Sequence, residues 1–494
     1  MAGEFVSWQD YSAGGGISPQ YGDNLIGGMS NGEDLQALQK ALTAGSDINN
    51  PGGSAGEGFP LRVESLDSTL YNVTYKAQDV KFWKSLYKDA AYNTVEEFNR
   101  LHSYGSGNSI FMSEGSLPSE DDSTYERAYT KVKFMGTVRR CTHVMSLLRA
   151  AHGDVVARET VNGTMFLLRQ IERTLFDGNE DLLPVQFNGI ERELVGAWGS
   201  NVLDDGMLSG YEDDNVIDMR GQPLSEDHIA DMVERLVAEP NYGQPSDLWL
   251  PTGPVKDLSK ILYPKERYDL PAPRGGMAGI SIKGITTPFG DINLNPDIFI
   301  PRSDLAPTTA VGSAAQRPGA PTVGAPSAGS YSGSDTNYWG ASDAGAYTYQ
   351  IVACNQYGKA IAVDSAAVTV ASGDSVSITV TNGSDTSYYE IYRTAAGGAA
   401  ATARLIFKVA AGTVTTSIVD LNRFLPNTSK GYMLTQSSEV LKWKQLAPFT
   451  KIPLATIDTS VRWMQVLYGA LQVMAPKKNG IFINVGNLAT GAYS

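Results

Sequence analysis

At 494 residues, with hydrophobic residues at 42%, the chain is long enough for several domains and a sizeable core. Its net charge of −14 is the reverse of what a protein gripping nucleic-acid phosphates needs. No apolar run approaches the roughly 18 residues required to span a membrane, and MAGEFVSWQDYSAGGG lacks the basic region and apolar core of a signal peptide. Cys141 and Cys354 fall in separate segments, which points to a reducing compartment rather than a disulfide framework. The sequons at Asn72, Asn162, Asn382 and Asn427 then have no secretory context.

Residues 1–75 read as an arm, too rich in Gly and Ser to bury a core alone. One short helix is expected there, capped by Asn31 with Leu35, Leu38 and Leu42 as its stripe. From Ser113 an acidic turn, SEGSLPSEDDSTYER, opens a charged extended run, AYTKVKFMGTVRRCTHVMSLL. Alternation puts Tyr129, Lys131, Lys133 and Met135 on one face, read as the wet one, and Thr130, Val132, Phe134 and Gly136 on the other. A helix follows. Val156, Thr160, Gly163, Leu167, Ile171 and Leu175 recur at three- and four-residue steps, with Arg158, Glu159, Arg169, Glu172 and Arg173 mostly opposite. Gly153 and Asp154 start it and Gly178 stops it, for a length of about 36 Å.

Asn215 to Ser303 reads as an α/β unit. Ser225 is expected to cap a helix striped by Ile229, Met232, Val233, Leu236 and Val237, ended by Pro240 and Gly243. A strand at Asp247 to Leu250, a helix from Pro254 through Val255, Leu258, Ile261 and Leu262, and a glycine-rich loop, Gly275 to Gly279, follow. From Ala306 to Tyr331 the composition shifts to Ala, Pro, Gly, Ser and Thr. Short alternating runs then predict an antiparallel sandwich of about seven strands, Arg317 to roughly Thr435. Beyond it, Trp463 to Val473 and Ile481 to Val485 are expected to pair as a hairpin around Lys478-Asn479-Gly480.

The order of arm, extended run, long helix, α/β unit and C-terminal return resembles the major capsid proteins of tailed phages, the Hong Kong ninety-seven fold family. The RPGAPTV and YQIVACNQYGKA runs look like a fibronectin type III or bacterial immunoglobulin-like module inserted in it. The resemblance implies an α+β capsid fold with an all-β immunoglobulin-like sandwich insertion. It implies an N-terminal arm at 1–75 and a peripheral domain at 76–214, with an extended loop at about 105–142 and a spine helix at about 153–177. An axial domain at 215–303, a linker and insertion at 304–436, and a return to the axial and peripheral domains at 437–494 complete it. The implied function is self-assembly into hexamers and pentamers of an icosahedral head enclosing double-stranded DNA, without sequence-specific binding. Portal, scaffold and decoration proteins are candidate partners, and the virion, assembled in the bacterial cytoplasm, is the location. An encapsulin-type compartment shell and a phage tail or adhesion protein are the alternatives. Deleting Arg317 to Thr435 is expected to leave assembly possible.

No catalytic, cofactor or metal constellation emerges. His102, His143, His152 and His228 show no HExxH or paired metal spacing. DGNED at Asp177 lacks the Gly at position six and the Glu at position twelve of a calcium loop. Gly105-Ser106-Gly107 lacks the third glycine of a dinucleotide loop, and no phosphate loop or nucleophile elbow occurs. The acidic run Glu120, Asp121, Asp122 stands against basic Arg127, Lys131, Lys133, Arg139 and Arg140. Both solvated charge at a hairpin tip and salt bridges between subunits fit that pattern.

Overall fold

After a single 3-10 turn at Ala77–Asp79 come α1 (Phe82–Ser85), β1 (Tyr87–Ala90), β2 (Val95–Ser103), β3 (Thr124–Lys131) and β4 (Lys133–Thr142). Helices α2 (His143–Leu147), α3 (Val155–Asp177) and α4 (Ile190–Val195) follow. Next come β5 (Val216–Asp218), α5 (Glu226–Val237), β6 (Asp247–Leu250), α6 (Thr252–Leu262), β7 (Gly284–Thr287) and β8 (Gly290–Pro296). An all-β stretch holds β9 (Thr322–Val323), β10 (Ser327–Ser330), β11 (Gly345–Tyr347), β12 (Tyr349–Asn355), β13 (Gly358–Lys359) and β14 (Val363–Asp364). It continues with β15 (Val368–Val370), β16 (Asp374–Thr381), β17 (Tyr388–Arg393), β18 (Arg404–Ala410) and β19 (Thr415–Asp420). The last strands are β20 (Ser429–Leu434), β21 (Leu441–Pro453), β22 (Ser460–Val473) and β23 (Gly480–Val485), making the fold mixed α+β. The computed structural model describes residues 73–105, 110–117, 120–148, 153–195, 215–262, 282–302, 305–307, 309–333, 336–455 and 458–488. The helix expected behind Asn31, the loop Gly275 to Gly279, Ser106, Gly107 and His152 lie outside them.

Helix α3 starts where Asp154 accepts a hydrogen bond from the Val156 N–H at 3.0 Å and stops where Gly178 N–H donates to Thr174 O. It buries Gly163, Leu167, Leu168, Ile171, Leu175 and Phe176. Glu172 departs from the expected outward face and is fully buried. Its carboxylate accepts the N–H groups of Lys81, Phe82 and Trp83 at 2.7, 2.6 and 2.8 Å, satisfying donors at the start of α1 that would otherwise be orphaned.

Two sheets hold the helices. One runs β1-β21-β22-β4, and the other β5-β23-β20-β6-β8-β7. The second is covered on one face by α5 and α6, through Ile229, Met232, Val233, Leu236, Leu258 and Leu262 packed on Leu248, Leu250, Ile292, Leu294 and Phe482. Its other face meets α1 and the end of α3, where Phe82 sits 5.0 Å from Trp249 and Phe176 5.3 Å from Tyr432. Aromatic pairs of this kind are worth about 0.5–1.5 kcal/mol beyond their burial. Ser225 occupies the first position before α5, but its hydroxyl bonds His228 Nδ1 at 2.7 Å instead of capping a backbone N–H.

Three further sequence expectations are corrected. The strand drawn through Tyr129 to Gly136 breaks at Val132, whose N–H donates to Thr94 O. Before it β3 pairs with β2, and after it β4 pairs with β22. The change of partner reverses the faces, so Lys133 and Met135 turn inward while Phe134 is exposed, its ring 4.9 Å from Tyr468. The hairpin around Asn479-Gly480 does not form, because β22 and β23 belong to different sheets. Asn479 is a buried corner whose Oδ1 accepts from Thr435 N–H at 2.9 Å, and a Cβ on Gly480 would overlap the Met232 sulfur. Finally, β20 pairs with β6 and β23, so the chain has rejoined the six-stranded sheet by Ser429, short of the expected Thr435.

Between those points, β10-β16-β19 with β9 forms one antiparallel sheet, and β13-β12-β17-β18 with β14 another. Val376, Ile378, Val380 and Ile418 of the first share a core with Tyr349, Ile351, Ala353, Ile391 and Phe407 of the second. That core is continuous with Phe82, Ile171, Leu175, Phe176 and Trp443 of the rest of the chain.

Candidate assembly surface

Strands β2 and β3 form an antiparallel hairpin, in register from Val95 opposite Lys131 to Leu101 opposite Tyr125, with a shift before Ser103 opposite Thr124. Near its loop end it is pinned by Arg100, whose Nε donates to Met474 O at 2.7 Å and Nη2 to Val473 O at 2.9 Å, with Glu126, its cross-strand partner, 3.8 Å away. Ala128 and Val132 are buried against the body. Toward the tip the apolar side chains lose cover. Tyr104 is 87% exposed, Ile110 82%, Phe111 86% and Leu117 92%. The signal for this surface was the IFM triplet inside the polar stretch GSGNSIFMSEGS, a cluster that composition alone reads as loop.

Glu120, Asp121 and Asp122 are exposed on the segment entering β3. The basic residues singled out with them are held by other carboxylates of the same chain. Arg127 lies 3.4 Å from Glu97, Lys131 2.8 Å and Lys133 3.2 Å from Glu180, Arg139 3.6 Å from Glu159, and Arg140 2.8 Å from Asp458. Lys133 Nζ also donates to Pro184 O at 2.6 Å. The Lys131–Glu180 pair raises the lysine's pKa through that hydrogen bond and the charge behind it. The exposed pairs among these contribute about 1 kcal/mol or less each.

Among the described residues no group of His, Cys, Asp or Glu is arranged to hold a metal ion, and no helix is long and apolar enough to cross a membrane. Cys141 and Cys354 are free and buried, and burial raises the Cys354 thiol's pKa well above its ordinary value.

No family model matches the chain. It is 23% identical over 439 residues to the major capsid protein of Staphylococcus phage S25-3, covering 87% of this chain and 91% of that one. It is 24% identical over 462 residues to the putative major capsid protein of Enterococcus phage phiEF24C, covering 92% and 95%. The chain is a structural capsid shell protein. Among solved structures, the capsid of a native GTA particle overlays the shell protein at a TM-score of 0.45 and 8% identity, covering 88% of this chain and 99% of that one.

Proposed function

We propose that the shell protein self-assembles into hexamers and pentamers of an icosahedral head that encloses double-stranded DNA. The observation that carries this reading is the exposed tip of the β2–β3 hairpin. A soluble monomer gains nothing from showing Ile110, Phe111 and Leu117 to water together. A neighbouring copy would bury them. In this reading 76–214 is the peripheral domain, 215–303 the axial domain, and α3 the spine along the shell wall. The two antiparallel sheets between Thr322 and Asp420 are the immunoglobulin-like insertion, supported by their shared core. Glu120, Asp121 and Asp122 reach a neighbour. Arg127, Lys131, Lys133, Arg139 and Arg140 chiefly hold the hairpin and β4 on their own subunit. The acidic balance suits a container that must not adsorb its packed DNA.

Expressed alone, the chain should give tubes, sheets or shells under negative stain. A stable monomer or trimer would overturn the proposal. The double variant Ile110→Ser with Phe111→Ser should keep the parent's melting temperature while losing assembled particles.

A further inference from the structure

We infer that the segment 309–428 is a structural brace of the subunit, fastened to the C-terminal end of α3 by buried charges, and not a module displayed on a linker. One face of the five-stranded sheet packs on β16 and β19, as an isolated sandwich would. The other face is buried as well. Val352, Cys354 and Tyr392 lie there, alongside Glu390 and Lys408, which are direct cross-strand partners.

Lys408 Nζ donates to Asp177 Oδ2, and the Glu390 carboxylate accepts from Lys359 Nζ at 2.7 and 2.6 Å and from the Tyr392 hydroxyl at 2.9 Å. Asp177 is the last residue of α3, where the helix dipole disfavours a carboxylate. Glu191 of α4 adds a second negative charge close by, held by Lys430 Nζ and the Tyr432 hydroxyl of β20. The cation that offsets Asp177 comes from the sandwich. Burial opposes the charge on Lys408, yet Asp177 and Glu390 outweigh it and raise the lysine's pKa.

A second junction ties the other end. Arg220 donates to Asn422 O at 2.8 Å and Tyr338 O at 3.2 Å. Asn484 Nδ2 donates to Arg423 O at 2.8 Å, and its Oδ1 accepts from Leu425 N–H at 2.9 Å. A displayed module would leave its outer face wet and need neither junction.

Two full-length variants test this. Lys408→Met leaves the Asp177 carboxylate largely buried without its cation. Its melting temperature should drop by several degrees, and hydrogen exchange should speed up at the end of α3. Adding Asp177→Leu should recover most of both losses, because an apolar pair replaces the ion pair without stranding a charge. Calorimetry of the parent should show the sandwich and the rest melting in one transition. Two separate transitions, or a Lys408→Met chain matching the parent in melting and exchange, would overturn the brace. So would parental shell yield from a chain lacking 309–428. The calorimetric and exchange readings need no assembled shell, so they fail or succeed independently of the assembly proposal.

Discussion

Glu172 and Asp297 place two buried carboxyls side by side where α1, α3 and the end of β8 meet. Burial first and the neighbouring Asp297 second push Glu172 up to about 8, against the pull of the N–H groups of Phe82 and Trp83. Burial likewise raises Asp297, whose Oδ1 accepts from Phe299 N–H at 2.7 Å. The other charges facing the pair are Lys81, which draws Asp297 down, and Asp79, which opposes it. The folded chain therefore keeps a proton that the unfolded chain has released at any pH between about 4.5 and 8. Stability falls as pH rises through that window, and the penalty is complete above it. Asp297→Asn removes the like charge, keeps the bond to Phe299 and offers an amide donor to Glu172. Its melting temperature relative to the parent should climb steadily from pH 5 to pH 8. A difference that stays flat across that range would contradict the shared-proton account.

At the scale of elements, the β2–β3 hairpin depends on Arg100 more than on its own ladder. A two-stranded ribbon is marginal alone, and charge-assisted bonds such as those to Met474 O and Val473 O are worth about 1.5–3 kcal/mol each. Arg100→Ala should raise amide exchange in Val95–Ser103 about tenfold or more and open the hairpin to protease. The six-stranded sheet should melt where it did. Equal loss in both would mean the hairpin is part of the cooperative core. Which elements the sequence revealed follows from the same distinction between local and distant causes. Helices α3 and α5 carry their own period, and α3 its own cap at Asp154, so Leu167, Ile171 and Leu175 could be placed directly. The break at Val132 was not legible, because nothing local says that β4 must pair with β22, more than 300 residues on. Asn479-Gly480 misled for the converse reason. The pair suits a tight turn, but the buried amide of Asn479 is spent on Thr435 and Ala475, in a corner between sheets. Glu172 was misplaced because a carboxylate among apolar stripe residues reads as surface until a distant chain segment brings N–H groups to it. The Lys408–Asp177 contact joins residues 231 positions apart and leaves no pattern in either segment.

For the whole molecule, charge decides how the assembly proposal should respond to salt. Each copy carries −14, so copies brought together repel wherever their fields overlap. At 0.1 M salt the screening length is about 10 Å, which suppresses this long-range term but leaves apolar contacts intact. Attraction through the hairpin tip is of the apolar kind, since Ile110, Phe111 and Leu117 carry no charge. Ion pairing between copies would act in the opposite sense, weakening as salt rises. The basic side chains nearest the hairpin are already engaged, Arg127 with Glu97, Lys131 with Glu180 and Arg140 with Asp458. That leaves repulsion and apolar burial as the competing terms. Particle yield, followed by light scattering, should therefore rise as salt is taken from about 0.05 M to about 0.5 M. The Ile110→Ser, Phe111→Ser chain should stay dispersed throughout. Yield that falls with salt in the parent would transfer the main attraction to charge pairs between copies, with Glu120, Asp121 and Asp122 the first carboxylates to neutralise.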